Sequence, residues 1–189
     1  MTKSRFLTFF LLIFIGFSCK KNYVPKPQSY FRIDERQETF VTYSNARFSF
    51  DIPSSAQIVS ETKENEIWLT IRFPHYRAVL YCTFLPISKS SLRAAIDDNY
   101  RLAFSHTVKA NGISQQVLKM PQQASGGILY KIGGNVATPR QFFVTDSLSN
   151  FFRASLYFDS KINADSLQPV INYMDKNITR LVSSLRWKN

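Results

Sequence analysis

Polar and apolar positions change period several times along the chain, and each change marks an element. From Arg47 the pattern alternates, with Phe48, Phe50 and Ile52 on one side, Ser49 and Asp51 on the other, and a stop at Pro53. Period two is what a strand with one buried face produces. Ile67, Leu69, Ile71 and Phe73 likewise share a face opposite Glu66, Trp68, Thr70 and Arg72. The run 78–85 is apolar on both sides, Val79, Tyr81 and Leu85 against Leu80, Cys82 and Phe84, which predicts a strand covered on both faces. Further strands are expected at 113–120, 127–136, 141–145 and 151–158. The last two are joined by the turn-forming stretch Asp146-Ser147-Leu148-Ser149-Asn150.

Two stretches switch to helical spacing. Leu92, Ile96, Tyr100, Ala103, Phe104 and Val108 form one stripe, with Arg93, Asp97 and Arg101 opposite. Ser90 or Ser91 is the expected N-cap, and Asn111-Gly112 the expected stop. Leu167, Val170, Ile171, Met174, Ile178, Leu181, Val182 and Leu185 form a longer stripe, capped by Asp165 or Ser166, with Pro169 in the first turn. Both stripes are one-sided, so each helix should lie on a sheet. Strands, helix, strands, helix is an α+β order: a mainly antiparallel sheet packed by two amphipathic helices.

The start of the chain follows another logic. Lys3 and Arg5 precede the apolar run 6–17 and then Ser18-Cys19. This is the layout of a secretory signal peptide, here residues 1–18. A membrane-spanning helix needs about 20 apolar residues, and this run is shorter. Ser18 before the cysteine and Gly16 two places further back resemble a bacterial lipobox, although Phe17 stands where a small residue is usual. Cys19 is therefore the expected lipidation site. Each buried methylene contributes about 0.8 kcal/mol, so more than one acyl chain makes a lasting anchor to the membrane. Residues 19–44 read as an acylated N-terminus and extended tether, with Pro25-Lys26-Pro27 favouring open chain, and 45–189 as a single domain. Tyr30-Phe31-Arg32-Ile33 is too apolar for a plain tether. It docks either on its own domain or on a partner as an added strand.

Composition narrows the reading. Apolar residues make up 44% and charged residues 20%, as in ordinary globular proteins, and the 15% aromatic content, with 17 Phe and 9 Tyr, suits a sheet-rich core. The formal net charge is +11, lowered by two when Lys3 and Arg5 leave with the leader. Nucleic acid is the default partner for such a chain in the cytosol, and export removes that partner. Anionic lipid, another envelope polyanion, an acidic protein or a merely solvated basic surface remain. Once Cys19 carries a thioether, Cys82 has no partner and reads as a small core hydrophobe. His75 and His106 fall in no metal-binding pattern, and Asp97-Asp98 point about 100° apart on a helix. Gly126-Gly127 and Gly133-Gly134 lack the lysine of a phosphate loop, and no G-x-S-x-G occurs. No catalytic set, cofactor or metal site is expected.

The stretch 134–158 is the most informative. Asn135, Gln141, Asp146 and Arg153 interrupt an otherwise apolar hairpin, where they either pin its turns or face a partner. G-N-V-A from Gly134, Q-F-F-V-T-D-S from Gln141 and F-F-R-A-S-L-Y-F from Phe151 resemble the gliding-motility lipoprotein GldD family of Bacteroidetes. So do Lys26-Pro27, Tyr30-Phe31-Arg32-Ile33 and the closing Leu185-Arg186-Trp187-Lys188. The departures are Gln28-Ser29, Asn150 and Ser155, where that family more often has other residues. The resemblance implies a non-enzymatic, lipid-anchored accessory part of the gliding and type IX secretion machinery, facing the periplasm, with other envelope proteins as partners. Tyr30, Phe31, Arg32, Asn135, Gln141, Asp146 and Arg153 are the candidate contacts. The alternative is a periplasmic binding module for a small ligand or an anionic envelope polymer. By analogy, the element order is also similar to the PsbP-like fold.

Overall fold

In a computed structural model, residues 38–105, 110–120, 125–159 and 164–188 are described. The leader, Cys19, Tyr30, Phe31, Arg32 and His106 lie outside the described residues.

The first alternating stretch becomes β2 (Phe48–Pro53), which β1 (Phe40–Ser44) and β10 (Arg186–Trp187) flank in a three-stranded antiparallel sheet of order β1-β2-β10. The folded domain thus begins by Phe40 rather than at residue 45. Residues 40–44, read in the sequence as the end of the tether, form this edge strand, exposed except at Tyr43, which packs on Phe50 at 5.3 Å. At the other end, Trp187 pairs with Phe48 and its indole N–H donates to Ser125 Oγ at 3.0 Å. The C-terminal motif is a clasp.

The larger sheet has seven strands, all in antiparallel pairs: β3 (Gln57–Lys63), β4 (Glu66–Phe73), β5 (Ala78–Pro86), β6 (Gly112–Met120), β7 (Ser125–Gly133), β8 (Arg140–Thr145) and β9 (Asn150–Phe158), in the order β3-β4-β5-β9-β8-β7-β6. β3 to β5 form one meander. After α1 (Lys89–Phe104) the chain restarts at the far edge, and β6 to β9 work inward until β9 pairs with β5. β3 went unread in the sequence because it is an edge strand with only Ile58 half-buried. The expected α+β class, with its antiparallel sheet and two helices, is the architecture found.

One face of this sheet holds the main core. Ile67, Leu69, Ile71, Leu80, Cys82, Phe84, Phe142, Phe152, Ala154 and Leu156 pack there against β2 and against α2 (Ala164–Ser184). Phe48 and Phe50 stack at 5.9 Å, and Phe152 meets Phe48 edge-on at 5.5 Å. Each such aromatic pair adds about 0.5–1.5 kcal/mol beyond area burial. The helix α2 starts at Ala164, so Asp165 and Ser166 lie inside it and Pro169 falls in its second turn. Cys82 is buried in this layer, and burial pushes its thiol well above the ordinary range.

The helix α1 lies on the opposite face over Tyr130, Ile132, Phe143 and Phe151. Its N-cap is Ser88, two or three residues earlier than expected: Ser88 Oγ accepts from the Ser91 amide, and Ser91 Oγ accepts from the Ser88 amide. This reciprocal capping box satisfies two donors that would otherwise be orphaned. The helix ends at Phe104, and Asn99 and Ala103 are its buried residues. Tyr100, assigned to the apolar stripe by its spacing, is exposed and stacks on Phe104 at 4.1 Å. The stripe runs 92, 96, 99, 103, and Tyr100 stands about 70° off the middle of that line.

Candidate functional site

The sheet face under α1 is only partly covered. Alternate residues of β5 (Tyr81, Thr83), β9 (Arg153, Ser155, Tyr157) and β8 (Gln141) project to that face, because cross-strand partners share a side of the sheet. Thr83 stands opposite Arg153, and Ser155 lies between Tyr81 and Gln141. With Asn99 and Leu102 of α1 and its C-cap Ser105 as the opposite wall, they enclose a cavity of about 490 Å³ that opens to solvent. This falls within the roughly 300–1,000 Å³ range of small-molecule sites. Tyr81 was expected to be covered. It is 48% exposed instead, because it borders the open cavity, while Val79 and Leu85 on the same face of β5 are covered.

Arg153 dominates the chemistry of this floor. Its side chain is half-buried and makes no hydrogen bond or ion pair among the described residues, none of which lines the cavity with an Asp or Glu. The hydroxyls of Thr83 and Ser155 beside it also make no side-chain hydrogen bond. In the helix wall, Asn99 is 3% exposed and its Nδ2 has no acceptor in hydrogen-bond geometry. Asn99 does interact with Tyr130: burial raises that phenol, the Asn99 amide opposes the rise, and Tyr100 adds to it. Gln141 is buried, and its Nε2 donates to Thr138 Oγ1 at 2.9 Å, tying the cavity floor to the loop before β8. The walls are rich in donors and carry one net positive charge.

Of the residues singled out in the sequence, the fold brings Gln141 and Arg153 together here. Asp146 is elsewhere, at the β8–β9 turn. Its Oδ1 accepts from the amides of Leu148, Ser149 and Asn150, each at 2.9 Å, and its Oδ2 accepts from Asn150 Nδ2 at 2.6 Å. Its carboxylate is used by its own turn. Asn135 is exposed in the loop between β7 and β8, after Gly134 at φ 94°. Tyr30, Phe31 and Arg32 lie outside the described residues. The sequence reading missed Asn99, Thr83 and Ser155. For Asn99 a signal existed: a polar residue three after Ile96 and four before Ala103, inside the helix stripe.

Among the described residues no three His, Cys, Asp or Glu side chains cluster as metal ligands, and no helix is long and apolar enough to cross a membrane. Fold and cavity define the class: an α+β domain on an antiparallel sheet, with an open, donor-lined cavity beneath one helix. Residues 20–187 match the model of the gliding motility lipoprotein GldD family, and the chain belongs to that family. No curated protein matches it. Membership implies a membrane-anchored envelope lipoprotein with a role in gliding motility, in a family not known for enzymes.

Proposed function

We propose that this GldD-family protein is a non-enzymatic accessory lipoprotein, held by acyl chains on Cys19 and facing the periplasm. It supports gliding and the linked type IX secretion machinery by binding and stabilising other envelope components. The observation that carries this reading is the family match across residues 20–187. The cavity fits it, because its walls offer a partner hydrogen-bond donors and exposed tyrosines.

The test is made in a gliding bacterium that carries the gene. Deletion should stop spreading of the colony edge and lower the abundance of at least one other gliding or secretion protein. Replacing Tyr30, Phe31 and Arg32 together by Ala should reproduce part of that loss if the segment contacts a partner. Wild-type spreading with unchanged partner levels in the deletion strain would sink the accessory role.

A second reading, a binding module for a small ligand or an anionic envelope polymer, draws support from the net charge of +11 and from Arg153. Salt-sensitive binding of purified protein to an anionic glycan or anionic vesicles would favour it.

A further inference from the structure

We propose that the cavity between α1 and the sheet receives one carboxylate, presented by an acidic side chain of a partner polypeptide, with Arg153 as the group that recognises it. The proposal rests on the reading of the protein as a binder of other envelope polypeptides, and it names the site and the chemistry.

Two arginines make the case by contrast. Arg140 and Arg153 sit on neighbouring strands and face opposite sides of the sheet. Arg140 is 8% exposed and its charge is met at two points by Asp175. Arg153 is half-buried on the other side and meets no acid. Withdrawing a guanidinium from water without a counter-charge costs free energy, which an arriving carboxylate offsets by paired N–H···O bonds. The groups around it match an acceptor. Thr83, the cross-strand neighbour of Arg153, and Ser155, two places along its strand, carry hydroxyls with no side-chain hydrogen bond of their own, and Asn99 Nδ2 has no acceptor in hydrogen-bond geometry. A cationic ligand would find no acid in the lining.

The rim argues for a polypeptide rather than a free acid. Tyr81 and Tyr157 pack edge-to-face at 5.4 Å, 48% and 37% exposed, and Leu102 of α1 faces them across the opening at 48%. Tyr and Arg are the side chains that most often anchor protein interfaces. A small free acid would occupy the floor and leave this rim wet, whereas residues flanking an acidic side chain would cover it. A polyanionic chain asks for a row of cations, and among the described residues Arg153 is the one cationic side chain in the lining.

The experiment uses the full mature protein in detergent, isotope-labelled for NMR, at constant ionic strength. The probes are acetyl-Ala-Glu-Ala-amide, its Gln counterpart and sodium acetate. The Glu peptide should shift the Arg153 Nε–H and Asn99 side-chain amide resonances, and bind at least tenfold more tightly than the Gln peptide or acetate. Arg153→Gln should abolish the preference for Glu over Gln, and Arg153→Lys should keep part of it. Because the Arg153 side chain makes no intramolecular bond, both variants should retain the wild-type spectrum elsewhere. Equal binding of the two peptides, or an unchanged preference in Arg153→Gln, would overturn the site. Acetate binding as tightly as the Glu peptide would overturn the polypeptide source and assign the cavity to small free acids. Either failure leaves the accessory role standing, since that role is tested by partner abundance in cells.

Discussion

Arg140 of β8 and Asp175 of α2 form a two-point ion pair across the main core, with Nε–Oδ1 at 2.6 Å and Nη2–Oδ2 at 2.9 Å. A third bond, from Arg140 Nη1 to the Pro139 carbonyl at 2.8 Å, uses a further donor of the guanidinium. The pair fixes where α2 crosses the sheet. Its side chains are 10% and 23% exposed, so neither charge is freely solvated.

Removing one partner should therefore cost more than removing both. Asp175→Ala leaves a buried, unpaired guanidinium and should destabilise the domain by about 3 kcal/mol, the lower end for broken buried pairs because Asp175 is partly exposed. Arg140→Met combined with Asp175→Leu should cost less than either single change. Urea unfolding of Asp175→Ala, of the two single changes Arg140→Met and Asp175→Leu, and of their double variant, compared at equal slope, checks the order. A double variant weaker than both singles would show that the pair is not the source of the effect.

Asp146 should make the β8–β9 turn sensitive to acid. Burial works to raise its carboxyl, but hydrogen bonds from the amides of Asn150, Leu148 and Ser149 and from the Asn150 side chain outweigh it and hold the carboxyl below its usual range. A carboxyl lowered on folding contributes stability that is present above its unfolded value, about 3.9, and is lost as pH falls through the lower folded value. Asp146→Ala should lose roughly 1–2 kcal/mol near neutrality and show a shallower loss below pH of about 4 than the wild type. Unfolding free energies measured from neutral to acid pH for both proteins test the sign.

Gly127 marks a close approach of β7 to β8. A Cβ built there would lie 1.8 Å from the Phe143 carbonyl oxygen, a backbone atom that a side-chain rotation cannot move. At Gly126 the nearest atom, Leu118 O, is 3.1 Å away. Gly127→Ala should cost roughly 3 kcal/mol or more, by forcing the strands apart, and Gly126→Ala clearly less. Thermal unfolding of the pair decides it, and similar midpoints for the two would refute the packing argument.

Cys82 is sealed in the core with its thiol pushed up by burial, so it should react with a disulfide reagent only through unfolding. The chain holds two cysteines, Cys19 and Cys82. Mature protein extracted from membranes should thus show no fast-reacting thiol when native and a single one in denaturant. A second thiol in denaturant would mean that Cys19 is not acylated.

Local patterns in the sequence already determined the strands that carry a buried face and both helices, and predicted an envelope address at Cys19. Alternation at 48–52 and 67–73, the stripes of α1 and α2 and the leader's charge-then-apolar layout each depend on residues close together in the chain. Gln141 and Arg153 also stood out there, as polar residues in apolar strands. Only the tertiary structure decided that β9 returns to lie beside β5, that β1 and β10 flank β2, and that Thr83, Asn99 and Ser155 join Arg153 around one cavity. Edge strands such as β1 and β3 leave no alternation to read because each tucks only one residue, Tyr43 or Ile58, against the core. The exposed Tyr81 looked like core because an aromatic residue in a strand reads the same whether or not a helix reaches over it. Periodicity reports which side of an element is apolar, but long-range pairing and the reach of α1 settle what stands against it.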